Sequence, residues 1–220
     1  MTDKIQNEYH WDNPYTCAHG YLLDTIIEVL IQNDISPNSK ILDVGCGGGY
    51  LLNELYKKGY ENIWGFDLSN SGIEVCRDNF PDLSERFQVH NAYENELPKE
   101  FPLKKYDLII SSEVIEHLYD PQKYLENINS WLCEGGYVLL TTPYHGYLKN
   151  IAIAVSNSFD LHVDPLWKGG HIKFFSRSKL YQLLHLTEFK PRNFKGCGRL
   201  PYLWKSMVVI SKKVKDCQSQ

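Results

Sequence analysis

The sequence lacks the long apolar runs and the paired cysteines that mark several classes of protein. None of its 220 residues belongs to an uninterrupted run of 18 apolar residues, and its first 14 residues form a mostly polar stretch without the apolar core of a signal peptide. The six cysteines are scattered and form no Cys-x-x-Cys pair, so neither disulfides nor a structural zinc site is expected. We therefore expect a cytoplasmic protein with reduced thiols and no membrane span.

Acidic and basic residues are unevenly distributed, although the net charge is only −4. From Lys168 to the end of the chain there are 12 Lys and Arg but 2 Asp and Glu, whereas the remainder has 11 against 25. Such a basic segment either attracts an anionic ligand, including nucleic acid, or pairs with the acidic remainder. No RNP-type aromatic pattern or zinc knuckle accompanies it, which favours the second interpretation.

Short apolar segments alternate with amphipathic ones along most of the chain. The segments ILDVG, NIWGFDLS and YDLIISSE are typical of buried strands, and YLLDTIIEVLIQND and QKYLENINSWL have the apolar spacing of helices. This alternation predicts an α/β, doubly wound (Rossmann-like) fold with a seven-stranded, mostly parallel sheet and helices on both faces. We expect a single domain over residues 1–220, with an N-terminal helical segment at 1–38 and an insertion or lid at about 145–170.

The stretch ILDVGCGGGY joins a predicted strand to a helix through a glycine turn, where the backbone can approach a ligand closely. Tyr50 stands where a dinucleotide-binding fingerprint needs glycine or alanine, and the Gly-Lys-Ser/Thr triplet of a P-loop is missing. Asp43 precedes the turn and would repel a pyrophosphate but not a cation. Asp67 ends the next strand, where such folds bind ribose hydroxyls. Together these features favour S-adenosylmethionine, an adenosine cofactor with a cationic centre and no phosphate.

Four stretches, taken together, resemble the class I S-adenosylmethionine-dependent methyltransferases: LDVGCGGG, GFDLS, YDLIISSEVIEHLYDPQKYL and WLCEGGYVLLTTP. The set spans about residues 39–143, and more weakly 170–183, and is similar to the branch that contains the ubiquinone-biosynthesis O-methyltransferases. Glu134 replaces the proline usual before Gly-Gly, and the N-terminal region lacks the arginine that those enzymes place near the cofactor carboxylate. The resemblance implies methyl transfer to a small-molecule acceptor, with a hydroxyl as the expected acceptor group.

The resemblance also implies a cofactor site built at the ends of four strands. The residues expected in it are Asp43, Gly45, Gly47, Asp67, Asn91, Ala92 and Ser112. Asp43, Gly45, Gly47 and Ser112 would lie beside the methionine part of the cofactor. Asp67 would lie beside the ribose, and Asn91 and Ala92 beside the adenine. For each residue the alternative is that it only shapes its turn.

The stretch SSEVIEHLYDP places two carboxylates and an imidazole after the fourth predicted strand, at positions i, i+3 and i+4 of a predicted helix: Glu113, Glu116 and His117. Acidic residues in a first helical turn need no ligand to explain them. The same set suits a divalent metal such as Mg²⁺, and the resemblance adds His171 of GGHIKFFSR as a fourth ligand. In a third interpretation Glu113, His117 or His171 serves a metal-free reaction, with a histidine as the general base.

Three residues are candidates for contact with the acceptor. Tyr144 and His145 directly follow the fifth predicted strand, and Trp167 lies in the insertion beside a glycine pair that could act as a hinge. The insertion is either a substrate lid or a packed part of the core. Two alternatives to a small-molecule methyltransferase stay open. They are an RNA ribose 2′-O-methyltransferase that uses a metal site, and a cofactor-binding protein without turnover.

Overall fold

The structure is a computed structural model that describes residues 9–16, 18–164, 166–167 and 169–214. The helices are α1 (His19–Gln32), α2 (Tyr50–Lys57), α3 (Asn70–Asn79), α4 (Pro121–Trp131), α5 (Tyr147–Val155) and α6 (Arg177–Leu186). The strands are β1 (Ile41–Val44), β2 (Ile63–Asp67), β3 (Phe87–Val89), β4 (Tyr106–Ser112), β5 (Leu132–Pro143), β6 (Phe189–Cys197) and β7 (Ser206–Lys213). Short 3₁₀ turns cover Pro81–Arg86, Ile115–His117 and Phe159–Leu161.

The seven strands form one sheet in the order β3-β2-β1-β4-β5-β7-β6. The pairs from β3 to β5 are parallel, whereas β7 runs antiparallel to both β5 and β6. This arrangement confirms the predicted α/β fold with a mostly parallel sheet. The strand order reverses between β1 and β4, and ligands of such sheets bind outside the carboxyl ends of the strands at that point.

Alternate residues of the central strands supply two separate cores, one on each face of the sheet. Ile41, Leu108 and Ile110 pack with α1, α2 and α3, whereas Leu42 and Ile109 pack with α4 and α6. Because both faces are covered, these strands are apolar at nearly every position, as the sequence predicted.

The stretch EVIEHL corrects one expectation, because it does not begin a helix. It forms only the 3₁₀ turn Ile115–His117, and α4 starts later, at Pro121, after its N-cap Asp120. Glu113 has a left-handed backbone (φ 56°), which is unfavourable in a helix. The shared helical face predicted for Glu113, Glu116 and His117 therefore does not exist, and their side chains take different directions.

The two segments outside the sheet lie over its carboxyl end. Residues 9–16 are non-helical and precede α1, so the predicted N-terminal helical segment is confined here to α1, while residues 1–8 and 17 lie outside the described residues. The predicted insertion holds α5 and the turn Phe159–Leu161. Within the described ranges, no helix has the length and apolar character needed to cross a membrane.

Candidate active site

A cavity of about 660 Å³ opens at the carboxyl ends of the central strands. Eleven of the residues singled out in the sequence line it: Asp43, Gly45, Asp67, Asn91, Ala92, Ser112, Glu113, His117, His145, Trp167 and His171. Gly47, Glu116 and Tyr144 are not among the lining residues. Tyr144 packs instead against Trp204 and Phe194 in the core, because its side chain turns away from the opening.

The glycine turn has no room for side chains at two positions. At Gly45 (φ 81°) an added Cβ would lie 2.5 Å from Val114 Cγ2, and at Gly47 (φ 51°) it would lie 2.2 Å from the indole of Trp11. Gly47 is thus covered by residues 9–16, which explains why it does not line the cavity. Its amide still contributes, since it donates a hydrogen bond of 2.8 Å to Asp67 Oδ2.

Asp67 is held by the backbone at both of its oxygens. Gly47 N donates to Oδ2 and Ser69 N donates to Oδ1, each at 2.8 Å. These two backbone bonds fix the orientation of the Asp67 carboxylate at the end of β2, where it lines the cavity.

Asp43 differs from Asp67 in that it is buried and incompletely satisfied. Its side chain is 2% exposed, and Oδ1 has no hydrogen-bond partner within the described part of the chain. Burial, together with the negative charge of Asp67, raises the pKa of Asp43 to about 8. A positively charged ligand group would compensate this carboxylate, so the orphaned oxygen fits a cofactor with a cationic centre.

Glu113 points toward β5 and β7. Its Oε1 accepts from Thr141 Oγ1 at 2.8 Å, and its Oε2 accepts from Ser206 Oγ at 3.1 Å. Burial raises the pKa of Glu113 to about 7, opposed by those two hydrogen bonds and by the charge of Lys149. Because its oxygens are engaged there, Glu113 does not join the cluster of possible metal ligands.

That cluster, which we call the Glu–His cluster, consists of Glu116, His117 and His171, with one ligand atom from each lying within 4.8 Å of the others. Glu116 is 0% exposed, and neither carboxylate oxygen has a hydrogen-bond partner among the described residues. The Nε2 atoms of both histidines lie 4.0 Å from Glu116 Oε1. Burial, followed by the charge of Glu113, raises the pKa of Glu116 well above its usual range.

Backbone contacts fix the two histidines of the Glu–His cluster. His117 Nδ1 lies 2.6 Å from the carbonyl oxygen of Gly169, which can only accept, so Nδ1 carries the proton and Nε2 keeps a free lone pair. The amides of Ile172 and Lys173 both donate to the carbonyl of Glu116, which brings His171 alongside. Burial lowers the pKa of His117, and lowers that of His171 to about 4, so both rings are neutral near neutral pH.

Several lining residues gave no clear signal in the sequence. Tyr9 and Trp11 are attached through hydrogen bonds to Ser69 and Ser71, and Tyr9 contacts Trp167 across the opening, with ring centroids 6.1 Å apart. His19, Lys149, Arg199, Lys205 and Ser206 also line the cavity. Lys149 lies on the otherwise apolar helix α5, and no local pattern in the sequence shows that this lysine turns inward.

The model of a family described as a methyltransferase domain matches residues 17–192. The chain belongs to this family. It is an S-adenosylmethionine-dependent methyltransferase, as its motifs predicted. The fold and the cavity at the carboxyl ends of the strands agree with that assignment.

Individual relatives of this methyltransferase are distant. It is 29% identical to a ubiquinone biosynthesis O-methyltransferase of Rickettsia canadensis, over 82% of this chain and 75% of the relative. Against the enzyme of the same name from Aliivibrio fischeri the identity is 27%, over 71% of this chain and 66% of the relative. The magnesium protoporphyrin IX methyltransferase of Synechocystis, solved with S-adenosylhomocysteine bound, has a similar fold. Its TM-score is 0.66 at 14% identity, with 87% of this chain and 82% of that one covered.

Replacing Glu113 with Gln should flatten the pH dependence of stability. The folded-state pKa of about 7 lies above the ordinary value of 4.5, so the folded protein retains a proton that the unfolded chain releases. This stabilisation is complete below the unfolded pKa and is lost as the pH rises through the folded one. Between about pH 5 and about pH 8, the wild-type free energy of unfolding should fall by about 2 kcal/mol more than that of the variant.

Urea denaturation in the presence of EDTA measures this difference. Glu126→Gln, on the exposed face of α4, is the matched control and should follow the wild type. Parallel pH profiles for wild type and Glu113→Gln would contradict the raised pKa.

Proposed function

We propose that this methyltransferase transfers its methyl group to a hydroxyl of a small-molecule acceptor. The observation that carries the proposal is the Glu–His cluster, whose two histidines line the same cavity as Asp43 and Asp67. An amine acceptor needs little help to lose its proton after transfer, whereas a hydroxyl needs a base or a metal. A site with two neutral histidines and a buried carboxylate supplies either.

On the cofactor side, the chain provides charge complementarity and orientation. S-adenosylmethionine supplies an activated methyl group on a sulfonium centre. Asp67 would accept from the ribose hydroxyls, Asn91 and Ala92 would border the adenine, and Asp43 with Gly45 and Ser112 would line the methionine part. The unpartnered Oδ1 of Asp43 supports this arrangement, because a cationic ligand lowers the cost of burying its charge.

On the acceptor side, the chain positions the hydroxyl and removes its proton. The lone pair on Nε2 of His117 or the ring of His171 can accept that proton, since burial keeps both neutral. If a divalent metal binds, Glu116, His117 and His171 would hold it, and it would lower the pKa of the hydroxyl. Trp167 lies 5.6 Å from both histidine rings and His145 lines the same cavity, so both would contact the acceptor.

The proposed hydroxyl chemistry predicts that His117→Ala loses activity. With radiolabelled S-adenosylmethionine and vicinal dihydroxybenzenes as acceptors, we expect the variant to retain about one hundredth of wild-type methyl transfer or less, a typical loss for a general base. His185→Ala, on the exposed side of α6, is the matched control and should keep full activity.

Two outcomes of this assay contradict the proposal. One is label that enters an amine or RNA in a cell extract while no hydroxyl compound accepts it. The other is undiminished transfer by both His117→Ala and His171→Ala, since either ring can accept the proton. Label in RNA, together with strongly salt-dependent RNA binding, would instead support ribose methylation.

A metal in the Glu–His cluster is tested by binding rather than by turnover. Titration of the EDTA-treated protein with Mn²⁺, followed by electron paramagnetic resonance, should reveal one site. Glu116→Gln removes the negative ligand and should weaken this site at least about tenfold. Glu126→Gln should bind as the wild type does. No bound Mn²⁺ at millimolar concentration, or equal binding by Glu116→Gln, would leave the metal-free reaction as the mechanism.

A further inference from the structure

We propose that Lys149 and Arg199 form a subsite for a carboxylate carried by the methyl acceptor. The inference deepens the proposed function and rests on it, since it concerns the far end of the same cavity. It predicts that the acceptor is an acidic hydroxyl compound rather than a neutral one.

Lys149 is a buried lysine at a junction of two cavities. It lies on α5, is only 5% exposed, and donates a hydrogen bond of 3.1 Å from Nζ to the carbonyl oxygen of Lys205. It lines both the main cavity and a second one of about 440 Å³ beneath α5, and Arg199 also lines both. A ligand in the main cavity can therefore reach both cationic side chains.

Neither cation forms an ion pair with another described residue. Among the described residues, no carboxylate oxygen lies within 4.0 Å of either side chain's nitrogen atoms. The carboxylate that acts on Lys149 is Glu113, whose oxygens already accept from Thr141 and Ser206. Burial and the charge of Arg199, opposed by the charge of Glu113, lower the pKa of Lys149 to about 8.

Strand order places this pair on the acceptor side of the cavity. Asp43 lies next to the end of β1 and Asp67 ends β2, whereas Lys149 contacts Lys205, the residue that precedes β7. From β1 the sheet continues through β4 and β5 to β7. Because β7 is antiparallel to β5, its start lies at the same edge of the sheet as the end of β1, and three strand spacings of about 4.8 Å, or about 14 Å in all, separate the two. Strand β4, which leads to the Glu–His cluster, lies between them, so the cations lie on the far side of β4 from the cofactor residues.

The test compares two probes that differ only in charge, protocatechuate and its primary amide. Calorimetry with the protein saturated in S-adenosylhomocysteine should show wild type binding the carboxylate about tenfold more tightly than the amide. Lys149→Met and Arg199→Gln should bind the two probes equally. Lys190→Met and Arg192→Gln, on β6, are charge-matched controls and should retain the preference.

Lys149→Met should fold, because Tyr144 N still donates to the carbonyl of Lys205. Arg199 is exposed, so Arg199→Gln gives a second test that is independent of core packing. Absence of carboxylate-dependent binding in wild type, or its survival in both variants, would overturn the subsite. Weakened binding of S-adenosylhomocysteine by the variants would overturn it too, since the cations would then hold the cofactor carboxylate.

The two proposals fail separately. If protocatechuate binds through Lys149 but accepts no label, the hydroxyl chemistry fails and the subsite stands. If both probes are methylated with equal efficiency, the subsite fails and the hydroxyl chemistry stands.

Discussion

Two carboxyl groups, Asp43 and Glu116, lie in the interior with oxygens that find no hydrogen-bond partner among the described residues. Burying an ionised carboxylate without a partner costs several kcal/mol, so each group either retains its proton or requires a cation. Asp43 lies at β1 beside the glycine turn, and Glu116 lies beyond β4 beside two neutral histidines. One buried carboxyl group therefore lies on each side of the point where the strand order reverses, and each requires a proton or a cation. We propose that the cofactor compensates Asp43 and that a metal or a shared proton compensates Glu116.

Much of the fold could be predicted because its strands and helices follow from hydrophobic periodicity. Apolar segments such as ILDVG became strands buried on both faces, and amphipathic ones such as QKYLENINSWL became helices. The helix predicted to begin at EVIEHL does not form there, because tertiary contacts override the local apolar pattern. Glu113 adopts a left-handed backbone while its side chain is fixed by Thr141 on β5 and Ser206 on β7. These partners are 28 and 93 residues away in sequence, so no local signal reveals them.

The candidate site likewise contains residues that the sequence could place and residues that it could not. Residues at the carboxyl ends of strands, or shortly after them, could be placed, since these ends share one edge of a parallel sheet, and Asp43, Asp67 and His117 all line the cavity. Residues that other segments contribute to the cavity could not be placed from the sequence. Trp11 covers the glycine turn from the N-terminal segment, and Lys149 turns inward from an otherwise apolar helix. Tyr144, although it directly follows β5, packs in the core against Trp204.

Proton release on cofactor binding tests the central claim most directly. If the cationic cofactor compensates Asp43, binding must lower its pKa from about 8, and a carboxyl group that is mostly protonated near neutral pH must then ionise. Calorimetry of S-adenosylmethionine binding in buffers of different ionisation enthalpy counts the protons released. Wild type should release up to about one proton more than Asp43→Asn. Equal proton release by the two proteins, at comparable affinity, would contradict the account.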